Sequence, residues 1–186
     1  MNFLDFCTHV HPLPIPVQEA LMAITQITTK QKGEALLRQA GYCKQLFFIQ
    51  KGLAKLCFQQ EDKEFIMRFF PAGILFTEMT SLIKQQPSTY EIIALEPLEV
   101  VLIPYYKFEQ LCREHHALET FFRKFLTIAH LNMMHRVSER LDSDAKQRYK
   151  NFLHQYPDLI QRISLGNLSN YLGITQVSLS RIRAEK

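Results

Sequence analysis

Residues 165–183, LGNLSNYLGITQVSLSRIR, constrain this chain more than any other stretch. Leu168 and Leu172 share one face of a first helical period, Ile174 follows a turn, and Leu179 and Ile182 stand three apart on a second period. Two short helices therefore meet across an apolar seam. Ser164 and Thr175 are placed to cap them, because each hydroxyl can accept from the unpaired N–H groups of the following turn. Gly173 lies between the two periods, where a left-handed backbone is cheapest without a β-carbon. Ser169 is small enough to let the second helix approach the first. The pattern predicts a helix-turn-helix.

On the second helix the inward Leu179 and Ile182 leave Val177 and Arg181 outward, flanked by Ser178 and Ser180, with Gln176 at the amino end. Arg can pair bidentately with guanine and Gln with adenine, while Val can touch a thymine methyl. Double-stranded DNA is the expected partner. The plainer alternative is a helical hairpin that closes a small core and carries a solvated Ser/Arg face.

The chain has 186 residues and is 47% hydrophobic, enough for one substantial domain and a smaller one. Its net charge of +4 favours a polyanion without requiring one. Basic residues outnumber acidic ones from Arg136 onward, in the half that carries the paired helices. Cys7, Cys43, Cys57 and Cys112 are scattered, with no CxxC pair, so reduced thiols and no metal or iron–sulfur site are expected. No apolar run approaches the ~20 residues needed to span a bilayer, and the first residues lack a basic segment followed by an apolar one. A cytoplasmic location, with no membrane partner, is the expectation.

At the amino end, His9 and His11 precede Pro12, Pro14 and Pro16, which predict an extended lead-in segment and argue against a metal-binding strand. A short helix should start at Pro16. From 27 to 104 the apolar period becomes strand-like: 27–32, 34–38, 46–50, 53–59, 64–70, 90–94 and 98–103 are the expected strands, separated by Gly- and Pro-containing turns and by 61–63. Such a series suggests a small β-sandwich or jelly roll. Residues 75–83 do not alternate and predict a short helix and loop. Helical periods return at 105–114, in a long helix over about 118–141, and at 145–155 beyond an Asp142-Ser143-Asp144 break that serves as the hinge between domains.

The long helix carries two apolar stripes. Leu118, Phe121, Phe125 and Ile128 form one; Phe122, Leu126, Ala129 and Met133 form the other. Two apolar faces need two partners, the β-domain and the same helix of a second chain. Asn132 and His135 continue the first stripe as polar residues, set either to fix register across a dimer seam or simply to face solvent.

FFIQKGLAKL, RFFPAGILFTEMTSLI, VVLIPYYKFEQL, the long helix and the terminal SNYLGITQVSLSRIR together resemble the Crp/Fnr family of bacterial transcription regulators, in a form that looks like its Bacteroidetes branch. The resemblance implies an α+β fold: an N-terminal double-stranded β-helix or jelly roll of cyclic-nucleotide-binding type (1–116), a dimerisation helix (117–141) and a C-terminal helix-turn-helix domain (142–186). It implies a homodimer, with Leu118, Phe121, Phe122, Phe125, Ile128 and Asn132 on the dimer helix, and brings in RNA polymerase as a further partner. Gln176, Val177 and Arg181 match the base-reading positions. Ser178, Ser180 and Arg183 are candidates for phosphate contacts.

The effector pocket departs from the family pattern. Members that bind cyclic AMP use a Gly-Glu segment followed by an Arg-Ser/Thr pair, whose Arg neutralises the cyclic phosphate. Glu78 matches the glutamate, but Thr77 replaces the glycine, and Ser88 and Thr89 stand at the Arg-Ser pair, followed by Tyr90 and Glu91. The cation is gone, so cyclic AMP and cyclic GMP are not expected to bind, no cofactor is expected, and the effector is unknown. Tyr90 and Phe76 could fill the pocket.

The resulting expectation is a sequence-specific, non-enzymatic transcription regulator that binds a palindromic operator as a homodimer. Two alternatives stand beside it. A cupin-type metal enzyme would need histidines on facing strands, and 27–104 contains none. A cyclic-nucleotide-binding-type interaction module with a vestigial helix-turn-helix would not bind DNA.

Overall fold

The computed structural model describes residues 1–61 and 63–184; Asp62, of the expected turn 61–63, and the terminal Glu185 and Lys186 lie outside the described residues. Two helices open the chain, α1 (Phe3–Val10) and α2 (Ile15–Ala23), followed by strands β1 (Gln26–Lys30), β2 (Ala35–Leu37), β3 (Gln45–Lys51), β4 (Leu53–Gln60), β5 (Lys63–Pro71) and β6 (Leu75–Phe76). A short α3 (Met79–Lys84) precedes β7 (Glu91–Ala94) and β8 (Leu98–Pro104). The remainder is helical: α4 (Tyr105–Glu114), α5 (His116–Asp142), α6 (Ala145–Gln155), a 3-10 turn at Leu159–Gln161, α7 (Leu165–Leu172) and α8 (Gln176–Ala184).

The strands form two four-stranded antiparallel sheets, ordered β1-β8-β3-β6 and β2-β7-β4-β5. Successive side chains on a strand point to opposite faces, and β3 shows what each face meets. Phe47 stacks on Phe76, which in turn lies 3.7 Å from Phe70 of the other sheet, so this side is the inter-sheet core. Phe48 instead meets Phe3 and Phe6 of α1, on the outer side of its sheet. Helices α1, α2, α4 and the first half of α5 close that outer side into one apolar cluster with the core.

The amino-terminal segment is helical, contrary to the extended lead-in expected. Asn2 accepts from the Asp5 N–H while the Asp5 carboxylate accepts from the Asn2 N–H, a reciprocal cap that stabilises the first turn. Phe3 and Cys7 then face the core. The prolines act only downstream, with Pro16 in the first turn of α2. At 75–83 the helix is shorter than expected, because Leu75 and Phe76 pair with β3.

The other sheet is covered as well. Leu53, Cys57, Ile66 and Phe69 belong to a second apolar cluster with Phe152, Leu159, Leu168, Tyr171, Leu172 and Leu179, whereas their strand neighbours Ala54 and Phe70 belong to the first. The boundary expected at 141/142 thus lies beside a core that both halves of the chain build. Arg162 closes its rim, donating to both Glu96 carboxylate oxygens at 2.9 and 2.6 Å and to the Gly52 carbonyl at 3.2 Å. Gly52 itself has φ +97, and a β-carbon there would lie 2.3 Å from the Pro97 carbonyl oxygen, so this tight corner needs glycine.

Of the residues placed on the dimer helix, Leu118, Phe121 and Phe125 are buried within their own chain, Phe122 packs on Phe108 and Tyr105, and Ile128 and Asn132 are exposed. The early parts of both stripes thus pack against the same chain, because α4 lies beside α5 and widens the covered arc, while Ile128 and Met133 at their ends are exposed. Leu131, Met134, Val137 and Leu141 form a different, exposed apolar face on the second half of the helix.

The Arg162 guanidinium holds the Glu96 carboxyl below its ordinary range. A carboxylate with a depressed folded value contributes stability above its unfolded value and loses it as pH falls through the folded one. Urea melts of the wild type and Glu96→Gln, run from neutral pH downward, should show a steeper acid loss in the wild type and a shallower one in the variant.

Candidate nucleic-acid interface and effector pocket

The paired helices form as the local sequence dictates. Ser164 Oγ accepts from the Asn167 N–H at 3.1 Å, and Thr175 Oγ1 accepts from the Ser178 N–H at 3.1 Å. Gly173 ends α7 in the left-handed region at φ +70. Leu168, Leu172 and Leu179 are buried, and Ser169 is buried with its hydroxyl donating to the Gly166 carbonyl at 2.9 Å. The inward positions are therefore filled as the spacing requires.

The outward face of α8 is open. Gln176, Val177, Ser180, Arg181 and Arg183 are exposed, with Val177 at 62%. Arg181 and Arg183 have no ion-pair partner among the described residues. Two expected contacts look different at close range. The Ser178 hydroxyl sits 2.9 Å from Thr175 Oγ1 and so belongs to the cap, and the Gln176 side-chain amide lies against Gly166, at 3.4 Å from where a β-carbon would stand.

The carboxyl end of α7 is gripped by arginines that spacing alone does not reveal. Arg140 donates to the Tyr171 carbonyl at 2.7 Å and Arg148 to the Leu172 carbonyl at 3.2 Å, satisfying carbonyls that a helix end leaves unpaired. Arg136 lies 3.8 Å over the Tyr171 ring. Burial pushes the Arg136 guanidinium down and the Tyr171 hydroxyl up from their ordinary values. These contacts join the end of α5 to the first helix of the pair.

The effector residues expected at 78–90 are in place but occupied by the protein itself. Glu78 is 4% exposed, and its two carboxylate oxygens accept from the Thr80 and Ser81 N–H groups at 3.0 and 2.9 Å, capping α3. Ser88 is buried, donates to the Tyr90 carbonyl and accepts from the Tyr90 N–H. Thr89 faces solvent. The Tyr90 ring meets the edge of Phe58, and Phe76 is stacked between Phe47 and Phe70 in the inter-sheet core. A cleft of about 730 Å³ opens elsewhere, between the β4–β5 hairpin and the turn of the paired helices, lined by Gln59, Lys63, Phe65, Asn170, Thr175 and Gln176.

Cysteine chemistry does not add a site. Burial pushes the Cys7, Cys57 and Cys112 thiols up to about 12, so they stay protonated at neutral pH. Among the described residues no three His, Cys, Asp or Glu side chains are grouped to hold a metal ion, and no helix is long and apolar enough to cross a membrane.

Residues 28–115 match the cyclic nucleotide-binding domain family. No curated protein sequence matches the chain. Among solved structures, the c-di-GMP-responsive global regulator CLP of Xanthomonas campestris is 17% identical, with a TM-score of 0.69 over 92% of this chain and 91% of that one. FixK2 of Bradyrhizobium japonicum is 16% identical, with a TM-score of 0.72 over 87% and 84% of the two chains. A protein of Eubacterium rectale described as a transcriptional regulator of the crp/fnr family is 13% identical, with a TM-score of 0.72 over 96% and 85%. At these identities the likeness establishes a shared fold.

With Glu78 committed to a helix cap and the Ser88 hydroxyl bonded to the Tyr90 backbone, titration with cyclic AMP should give no heat in the micromolar range. A measurable micromolar dissociation constant by calorimetry would refute this.

Proposed function

We propose that this protein is a Crp/Fnr-type transcription regulator that reads DNA as a homodimer and does not use cyclic AMP or cyclic GMP as its signal. One observation carries the reading: the residues left outward on α8 are those suited to base edges and phosphates, and Arg181 and Arg183 have no ion-pair partner among the described residues. The fold shared with CLP, FixK2 and the Eubacterium rectale protein supports it. Such a protein acts in the cytoplasm, where it meets DNA.

In this reading α8 enters the major groove. Arg181 pairs with a guanine, Gln176 contacts a base near the amino end of the helix, and Val177 packs on a thymine methyl. A valine cannot accept from the N4 amino group of cytosine, so thymine is favoured at that position. Ser180 and Arg183 hold the phosphates, and Ser178 works chiefly through the Thr175 cap.

The dimer seam is assigned to the exposed α5 face of Leu131, Met134, Val137 and Leu141, spaced three, three and four residues apart. Leu131, Met134 and Leu141 fall on a and d positions of one heptad frame, with Ser138 at the intervening a position and Val137 beside it at g, a pattern compatible with a parallel two-stranded coil. Asn132 stands away from this line of residues, which favours solvent exposure over a register role for it, whereas His135, four residues after Leu131, flanks the seam. Two such subunits present two reading helices about one DNA turn (~34 Å) apart, on a roughly palindromic site.

Selection of bound duplexes from a random pool should yield a palindrome, and Arg181→Ala should cost about 1–3 kcal/mol of discrimination at one symmetric base pair. Unchanged base preference would refute the assignment, and the absence of any salt-sensitive duplex binding would favour an interaction module instead. Met134→Asp should turn a dimer into a monomer in sedimentation equilibrium, whereas Asn132→Asp, on another face of the helix, should have a smaller effect.

A further inference from the structure

The helix pair does not hang from a linker. It sits on the outer face of the β4–β5 hairpin, where Phe69 stacks on Tyr171 at 5.1 Å and Leu53, Cys57 and Ile66 meet Leu168, Leu172 and Leu179 in one buried cluster. An apolar contact of this kind supplies affinity but little direction, because grease tolerates sliding. The polar groups inside it supply direction.

Lys55 is 7% exposed and reaches into this seam from β4. Its ammonium pairs with the Glu64 carboxylate on β5 and approaches Asn167 Oδ1 of α7 at 3.4 Å. Asn170, one turn further along α7, donates from Nδ2 to the other Glu64 oxygen at 3.2 Å. The strand pair thus offers one cation and one carboxylate, and α7 offers one acceptor and one donor spaced to match. A shift of α7 by one residue would leave a buried charge with incomplete hydrogen bonding, which is costly. On the opposite side, Arg136 and Arg140 tie Tyr171 to α5.

Val177 and Arg181 stay exposed while α7 is seated, and Gln176, also exposed, lines the cleft between the β4–β5 hairpin and the turn of the paired helices.

We infer that Lys55, Glu64, Asn167 and Asn170 are positioning residues: they fix the angle of α8 relative to α5, and through it the spacing of half-sites that a dimer accepts. The inference rests on the DNA-reading proposal above but assigns spacing selectivity to the β-domain surface rather than to the hinge near Asp142. It acts through α7, without any contact between these four residues and DNA.

The test uses the full chain and the double variant Lys55→Met/Glu64→Gln, which removes both charges at similar volume and so keeps the fold. Duplexes carrying the selected half-sites are varied in separation by single base pairs. The wild type should prefer one separation over its neighbours by about tenfold, or roughly 1.4 kcal/mol. The variant should bind a single half-site as well as the wild type does but lose most of that preference. An unchanged spacing profile overturns the inference, as does tighter binding by the variant at every separation, which would mean that the seat restrains DNA binding.

A second measurement needs no DNA. Spin labels at Lys32→Cys and Ala184→Cys, in a Cys112→Ser background and diluted with an excess of unlabelled chain so that only distances within one subunit are read, should give one narrow distance distribution in the otherwise unaltered chain and a broad one in the double variant. A broad distribution without the double substitution overturns the inference. Failure of the duplex selection alone counts against the regulator reading and leaves the seat standing.

Discussion

Burial of the β4–β5 hairpin on both faces organises the molecule. An antiparallel sheet can leave one side in water, yet here Ala54 and Phe70 close the inter-sheet core while Leu53, Cys57, Ile66 and Phe69 receive the terminal helices. The chain becomes four stacked layers: helices, sheet, sheet, helices. At roughly 25 cal/mol per Å² of apolar surface buried, the second contact couples the helix pair to the β-domain far more strongly than a two-residue linker could.

That contact joins the β-domain to the helix pair through protein groups alone. Phe47, Phe70 and Phe76 fill the space between the sheets, and Glu78 and Ser88 spend their polar atoms on the local backbone. A cyclic phosphate would need a cation and free donors there. The polar contacts that could carry the domain's shape run from Lys55 and Glu64 to α7, and from Tyr171 of α7 to Arg136 and Arg140 of α5.

Helix α5 shows how sequence and structure divide the problem. Its stripes Leu118-Phe121-Phe125 and Phe122-Leu126 are plain in the sequence, and two stripes were expected to mean two partners. These parts of both stripes pack within one subunit, because α4 and α1 flank the helix and present Phe108, Tyr105 and Phe6 to adjacent parts of its surface, while the stripe ends Ile128 and Met133 are exposed. The open face at Leu131, Met134, Val137 and Leu141 is weaker in sequence, being interrupted by His130, Asn132 and His135. The amino-terminal helix was hidden for another reason: the Asn2/Asp5 cap is a four-residue signal that the prolines overshadowed.

Local chemistry was sufficient to determine the caps at Ser164 and Thr175, the left-handed Gly173, most strands, and the outward set Gln176, Val177 and Arg181. Each depends on bonds within a few residues or on a regular period. The LAKLC run of β4, apolar on both sides of its alternation, even carried a trace of two-sided burial. Which surfaces meet was decided by the tertiary structure alone. Lys55 finds Glu64 across a hairpin and Asn167 more than a hundred residues away, and such pairings depend on the shape of two finished surfaces rather than on any spacing along the chain.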